Sequence, residues 1–182
     1  MAASDAGPRK ERRKYQRRQA DRRTQQRRSG RDRRSADEGW QAVTLDVVST
    51  GPYDEAGLVA AAADARRRAR ARFSNFQVGA ALETSDGELV TGCNVENATY
   101  GLTMCAERVA LYKALSEGRG VFTRIAVVAD TDDPTPPCGS CRQLLWEYCG
   151  DIDVVLANLS GVKARMRLSQ LLPLPFDARL IR

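Results

Sequence analysis

Two stretches decide the fold of this chain: TMCAERVALYKALSEG, residues 103–118, and PCGSCRQLLWEYCG, residues 137–150. In the first, small and apolar residues recur at helical spacing as far as Gly118, a typical helix-ending residue. The second predicts another helix. The segment between them contains TRIAVVAD (123–130), an unbroken apolar run of strand length, as expected for a strand that is covered on both faces. The centre of the chain is therefore predicted to be helix, strand, helix.

Further elements are predicted on both sides of this centre. Upstream, FQVGAALET (76–84) and LVTGCNVEN (89–97) are two β-type runs joined by an Asp-Gly turn, and residues 54–72 predict a helix. Downstream, DIDVVLAN (151–158) and VKARMRL (162–168) predict two more strands. Strands that alternate with helices in this order indicate a layered α/β domain with a mixed sheet.

The composition excludes several classes of protein. Hydrophobic residues make up 42% and charged residues 29% of the 182 residues, which is typical of a globular protein. No apolar run approaches the roughly 20 residues of a membrane span, and the first residues contain no apolar secretory segment. We therefore expect a protein without membrane contact that acts in the cytoplasm, with its five cysteines reduced or bound to metal. The absence of histidine excludes histidine triads and mixed Cys/His zinc sites.

The first 39 residues differ sharply from the rest. They hold 14 lysine and arginine residues against six acidic residues, and residues 9–34 contain one aromatic side chain and no Val, Ile, Leu or Phe. Such a segment cannot bury enough apolar surface to fold, so we expect a disordered tail over 1–39 and a domain over 40–182. Arginine clusters can bind nucleic acid, but this tail lacks the interleaved aromatic residues of single-strand binders. We favour a solvated extension over a nucleic-acid contact or a transit peptide.

Three cysteines have the spacing of a metal site. Cys105 opens one predicted helix, and Cys138 and Cys141 form a C-x-x-C pair at the start of the next. Helix N-termini lower the pKa of a thiol, and a C-x-x-C pair can bring two sulfurs to one ion while the third arrives from another segment. Three protein ligands to Zn²⁺ leave the fourth tetrahedral position for water, the arrangement of a catalytic site.

Two charged residues beside Cys105 complete this hypothesis. Glu107 is not needed as a ligand, and a carboxylate next to zinc can carry the proton of an activated water. Three thiolates and one Zn²⁺ have a net negative charge, which Arg108 is placed to offset, with Arg142 as a less certain candidate.

A C-x-x-C pair alone also occurs in redox proteins and in structural zinc sites. A redox pair would not require Cys105 or Glu107. A structural site with four thiolates would need Cys93 or Cys149, of which the first lies in a predicted strand and the second ends a predicted helix about 12 Å from Cys141.

The combination of C-A-E with P-C-x-x-C resembles the zinc-dependent nucleoside and nucleobase deaminases. A cysteine in place of the frequent first histidine is similar to the small, all-cysteine cytidine deaminases. The resemblance covers about residues 54–176 and rests on five segments in order: FSNFQVGAAL (73–82), GCNVENATYG (92–101), TMCAERVAL (103–111), PCGSCRQ (137–143) and LLPLPF (171–176).

This resemblance implies a three-layer α/β/α sandwich with a mixed five-stranded sheet. It also implies that Cys105, Cys138 and Cys141 bind one zinc ion and that Glu107 shuttles the proton. The residues that it implies for the nucleoside are Asn94 and Glu96 on the ribose 3′ hydroxyl, Phe76 against the ring, and the Ala106 N–H facing the pyrimidine carbonyl. Tyr100 and Phe176 match residues that reach a neighbouring subunit's site, which implies a homotetramer.

The implied reaction is the hydrolytic deamination of cytidine and 2′-deoxycytidine to uridine and 2′-deoxyuridine, a step of pyrimidine salvage. Within the same chemistry, a modified nucleoside such as blasticidin S is the alternative substrate. A polynucleotide substrate fits less well because the globular part is short and slightly acidic. A zinc-stabilised binding module without catalytic activity is the alternative from another class.

Overall fold

The computed structural model describes residues 54–181, and the predicted tail over 1–39 lies outside them. Five strands form the sheet: β1 (Val78–Thr84), β2 (Leu89–Cys93), β3 (Phe122–Ala129), β4 (Asp153–Asn158) and β5 (Gly161–Arg167). The helices are α1 (Glu55–Arg66), α2 (Ala106–Ser116), α3 (Gly139–Cys149) and the single turn α4 (Leu168–Leu171), with 3₁₀ turns at Tyr100–Leu102 and Ala178–Leu180. Within the described range, no helix is both long enough and apolar enough to cross a membrane.

The strands lie in the order β2-β1-β3-β4-β5. Strands β3 and β4 run parallel, and the other neighbouring pairs run antiparallel. Helix α1 packs on one face of the sheet through Leu58 and Ala62, whereas α2 and α3 pack on the other face through residues such as Leu111 and Leu145. These features confirm the predicted three-layer α/β/α sandwich with a mixed five-stranded sheet.

Alternate residues of the strands explain the two layers of helices. The face toward α1 presents small side chains such as Ala81 and Ala126, and the opposite face presents larger ones such as Leu82 and Ile125. A strand that is apolar on both faces must be covered on both faces, which is the pattern predicted for β3. Because α2 and α3 share one face, the cysteines at their N-termini lie on the same side of the sheet.

Helix α1 is shorter than predicted, because it ends at Arg66 rather than at residue 72. The backbone of Arg70 pairs instead with the segment after β2: its N–H donates to the Asn94 carbonyl (2.9 Å), and its carbonyl accepts from the Glu96 N–H (3.0 Å). Pairing with a distant segment has overridden the helix propensity of the Ala- and Arg-rich sequence. The chain thereby turns from α1 toward the start of β1.

Glycine at position 92 sets the distance between α2 and the sheet. A Cβ atom added at Gly92 would lie 2.4 Å from the Ala106 carbonyl oxygen and 2.4 Å from the Ala110 nitrogen, both in the backbone of α2. No side chain fits in this space. The close contact fixes the first turns of α2, which carry the predicted site residues.

We expect Gly92→Ala to force α2 away from β2 and to lower the free energy of unfolding by about 1–3 kcal/mol, as overpacking typically does. Urea denaturation measures the loss. Gly120→Ala is the matched control, because a Cβ atom there meets no atom within 4 Å. Equal stability of the two variants would contradict this packing argument.

Candidate metal centre

Three thiols meet where α2 and α3 begin. Cys105 is the residue before the first turn of α2, and Cys138 holds the same position in α3, with Cys141 inside the first turn of that helix. The Sγ atoms of Cys105 and Cys138 are 3.8 Å apart, and those of Cys138 and Cys141 are 3.5 Å apart. All three sulfurs lie within 4.8 Å of one another. The structure therefore brings the three predicted ligands together.

These distances fit one zinc ion. With Zn–S bonds of about 2.3 Å, the sulfurs of a tetrahedral site lie about 3.8 Å apart. The two sulfur–sulfur distances of 3.8 and 3.5 Å are close to that spacing. Cys141 is buried and Cys138 is exposed, so one side of the group faces solvent. Three thiols with an accessible side suit a zinc site that has an open fourth position.

The surroundings of the sulfurs favour ionisation at Cys105. Hydrogen bonding from the Cys141 thiol above all, together with the Arg108 guanidinium, lowers the pKa of Cys105 to about 5. The same interaction raises the pKa of Cys141, which remains protonated in the absence of metal. Zinc binding would release the remaining thiol protons.

Arg108 is a cation that contacts the Cys105 sulfur. Its Nη2 donates to the Thr103 carbonyl at 2.9 Å and lies 3.6 Å from the Cys105 Sγ. The hydrogen bond to Cys105 raises the pKa of Arg108, and the Arg108 Nε is buried without a hydrogen-bond partner among the described residues. A guanidinium in this place is close enough to offset negative charge at Cys105, and that role of Arg108 stays a prediction.

Glu107 is a buried carboxyl group beside the same sulfurs. It lies in the first turn of α2, and only 5% of its surface is exposed. Burial above all, and then the negative charge at Cys105, raise the pKa of Glu107 to about 7. A group with a pKa near 7 can both accept and donate a proton at neutral pH, which is the requirement for general acid–base catalysis.

Asn94 fixes the start of β1. Its Nδ2 donates to the Phe76 carbonyl (2.8 Å), and its Oδ1 accepts from the Val78 N–H (2.8 Å). Asn94 is buried, whereas Phe76 is 40% exposed. Asn94, for which the resemblance implies a ribose contact, therefore holds the backbone of Phe76, for which it implies a contact with the base.

Glu96, two residues after Asn94, also binds the backbone that leads into β1. Its carboxylate accepts from the Phe73 N–H (2.8 Å), the Ser74 N–H (3.1 Å) and the Ser74 hydroxyl, and the hydroxyl bond above all lowers the pKa of Glu96. Between Asn94 and Glu96, Val95 exchanges two backbone hydrogen bonds with Met104, each 2.9 Å long. This pairing places the Asn94–Glu96 segment beside the residues that lead into Cys105.

The remaining predicted residues occupy different surroundings. Ala106 is the fully buried first residue of α2, where backbone N–H groups have no partner inside the helix. Tyr100 is 79% exposed and lines a cleft of about 310 Å³ together with Glu96. Phe176 is 60% exposed. In the single chain, Tyr100 in the first 3₁₀ turn and Phe176 in the C-terminal segment are therefore both open to solvent.

Sequence reasoning missed some contacts at this centre. Arg142 donates to the carbonyls of Pro137 (2.7 Å) and Leu171 (2.9 Å), two contacts that the sequence did not predict. Ser74 binds Glu96 and had no assigned role. Ser74 lies in the motif FSNFQVGAAL and Arg142 lies in PCGSCRQ. Their place in these motifs is the signal that could have indicated a role for them.

The comparisons with known proteins agree with this geometry. The family model for the "Cytidine and deoxycytidylate deaminase zinc-binding region" matches residues 53–157. The chain belongs to this deaminase family. The cofactor of the deaminase domain is zinc, and Cys105, Cys138 and Cys141 form a group able to bind it.

Individual deaminases match over most of their length. A cytidine deaminase of Halalkalibacterium halodurans is 52% identical over 126 residues, which are 69% of this chain and 96% of that protein. The crystal structure of cytidine deaminase from Burkholderia pseudomallei aligns with a TM-score of 0.66 at 47% identity, covering 68% of this chain and all of that one. A blasticidin-S deaminase of Bacillus cereus is 33% identical over 57% of this chain and 79% of that protein.

We expect Cys105→Ser to lose bound zinc, because a serine hydroxyl does not ionise near neutral pH and is a poor third ligand. Metal analysis of the purified protein should find about one zinc ion per wild-type subunit and a small fraction of that in the variant. Cys93→Ser is the matched control, since Cys93 is a free thiol at the end of β2 outside the three-sulfur group. A Cys105→Ser protein with full zinc content would refute the assignment.

Proposed function

We propose that this chain catalyses the hydrolytic deamination of cytidine and 2′-deoxycytidine to uridine and 2′-deoxyuridine, with release of ammonia. The observation that carries the proposal is the buried Glu107 carboxyl group in the first turn of α2, beside three thiols spaced for one zinc ion. The 52% identity to a cytidine deaminase supports the choice of substrate.

Glu107 is the proposed catalytic acid and base. Zinc, when bound by the three cysteines, supplies Lewis acidity at its open ligand position. The Glu107 carboxylate accepts a proton from the attacking water and delivers it to N3 of the pyrimidine, which makes C4 more electrophilic. It then helps to transfer a proton to the exocyclic amine, which leaves as ammonia. Its burial keeps bulk water from supplying or removing that proton.

Four groups are proposed to hold the nucleoside. An amide nitrogen has two hydrogens, and Asn94 uses one of them on the Phe76 carbonyl, so the other is available for the ribose 3′ hydroxyl. Glu96 is already fixed by Phe73 and Ser74 and accepts from the same hydroxyl. The exposed ring of Phe76 contacts the base, and the Ala106 N–H at the helix start donates to the pyrimidine carbonyl.

The active enzyme is proposed to be a homotetramer. Tyr100 and Phe176 are largely exposed in the single chain, and a site that excludes water from a small nucleoside requires the aromatic residues at its edge to be covered. A neighbouring subunit that brings these aromatics to the nucleoside would bury them and enclose the site.

The proposed setting is the cytoplasm and the proposed role is pyrimidine salvage. Three zinc-binding thiols, together with the free thiols of Cys93 and Cys149, need a reducing compartment to persist as thiols. The deaminase domain is proposed to extend over 40–182.

Blasticidin S is the second candidate substrate, because a blasticidin-S deaminase is 33% identical to this chain. Parallel assays of cytidine, 2′-deoxycytidine and blasticidin S with the zinc-loaded protein decide between them. Turnover of blasticidin S alone would favour the second candidate, and zinc binding without turnover of any of the three would favour a non-catalytic zinc-stabilised module.

We expect Glu107→Gln to retain zinc and to lower kcat for cytidine by about 100-fold or more, because an amide cannot carry the proton. The loss of cytidine absorbance measures kcat, and metal analysis measures zinc. Glu117→Gln is the matched control, since Glu117 is an exposed glutamate at the opposite end of the same helix. Substantial activity in Glu107→Gln with zinc bound would exclude the proposed proton transfer.

Light scattering on the purified protein should give the mass of four subunits of 20.1 kDa each. The tetramer is expected because burial of Tyr100 and Phe176 between subunits stabilises the assembly. A monomer that turns over cytidine at full rate would contradict the shared-site proposal.

A further inference from the structure

The segment from Leu171 to Asp177 is attached to α3, the helix that begins at the C-x-x-C pair. Three side chains of α3 make the attachment: Arg142, Gln143 and Trp146. Arg142 and Trp146 are four residues apart and Gln143 and Trp146 are three apart, so the three contacts lie on one broad side of α3. The C-terminal segment is thus fixed to the same helix that carries two of the proposed zinc ligands.

Arg142 makes the first of these contacts. Its guanidinium donates to the Leu171 carbonyl at 2.9 Å and to the Pro137 carbonyl at 2.7 Å. Pro137 directly precedes Cys138 in the chain. One side chain therefore joins the loop that leads into the metal centre to the beginning of the C-terminal segment.

Gln143 makes the second contact, at the other end of the segment. Its Nε2 donates to the Phe176 carbonyl at 2.5 Å. Trp146 makes the third, with its Nε1 3.4 Å from a carboxylate oxygen of Asp177. The backbone carbonyl of Phe176 is therefore held from α3, although the residue as a whole is 60% exposed.

The sequence between the two anchors is stiff. Pro173 and Pro175 fix two backbone φ angles and supply no N–H donors. The two prolines reduce the flexibility of this segment, and the hydrogen bonds at its two ends hold the backbone that carries the Phe176 side chain. An apolar ring that is exposed on a fixed backbone is prepared to contact another molecule at low entropic cost.

We propose that Gln143 is a positioning residue that fixes the backbone of Phe176 so that its ring enters the nucleoside site of a neighbouring subunit. This inference rests on the proposed function, because it takes cytidine as the substrate and a site shared between subunits. Gln143 itself acts through Phe176 and does not touch the nucleoside.

Removal of this hydrogen bond should weaken nucleoside binding without slowing the chemical step. A less ordered Phe176 must be ordered each time substrate binds, which reduces binding of the ground state and the transition state equally. The expected signature is therefore a higher KM with kcat unchanged.

The test is Gln143→Met, which keeps the length of the side chain and removes the donor. We expect KM for cytidine to increase about 3- to 10-fold, the effect of one lost hydrogen bond, with kcat changed by less than about 2-fold and zinc content unchanged. Glu147→Met, at an exposed position on the same helix, is the matched control and should leave KM unchanged. An unchanged KM in Gln143→Met would overturn the inference.

A double-mutant cycle with Phe176→Ala separates positioning from a general structural effect. Once the ring is absent, Gln143→Met should have no further effect on KM, whereas additive effects would show that Gln143 acts elsewhere. Absence of wild-type cytidine turnover would refute the proposed function itself. Wild-type turnover with an insensitive Gln143→Met would refute the positioning role alone.

Discussion

The structure depends on bringing three sulfur atoms from two helices into one coordination sphere. Helix α2 must approach the sheet closely enough to place Cys105 beside Cys138, and glycine at position 92 provides that approach because its backbone touches the backbone of α2. The strand β3 separates α2 from α3 in the chain, yet both helices pack on the same face of the sheet. The metal centre is therefore a consequence of the layer architecture rather than of a local loop.

Two acidic groups at the start of α2 respond in opposite ways to the same surroundings. Hydrogen-bond donors stabilise the thiolate of Cys105 and lower its pKa to about 5, whereas burial raises the pKa of Glu107 to about 7. The two residues are separated by Ala106 alone. Zinc-assisted hydrolysis requires ionised ligands for the metal and a nearby group that exchanges a proton. Cys105 and Glu107 provide this pairing.

The sequence predicted the elements whose signals are local or periodic. The five strands, a layered α/β domain and the three-cysteine group followed from apolar runs, helix patterns and the C-x-x-C spacing, whereas the three-layer sandwich was implied by the resemblance to the deaminases. The end of α1 was predicted wrongly because Arg70 pairs with the segment after β2, a long-range contact that no propensity reveals. The contacts of Arg142 and Gln143 with the C-terminal segment were likewise invisible, since their partners are carbonyl groups 29 and 33 residues away.

The central claim is that three thiolates bind one zinc ion and leave its fourth position open. X-ray absorption spectroscopy of the zinc-loaded protein tests it most directly, because the spectrum counts the sulfur and lighter neighbours of the metal. The account predicts three sulfur neighbours at about 2.3 Å and one oxygen or nitrogen neighbour at about 2.0 Å. Four sulfur neighbours would indicate a closed structural site, and fewer than three would show that the cysteine group does not bind the ion as a unit; either result would contradict the account.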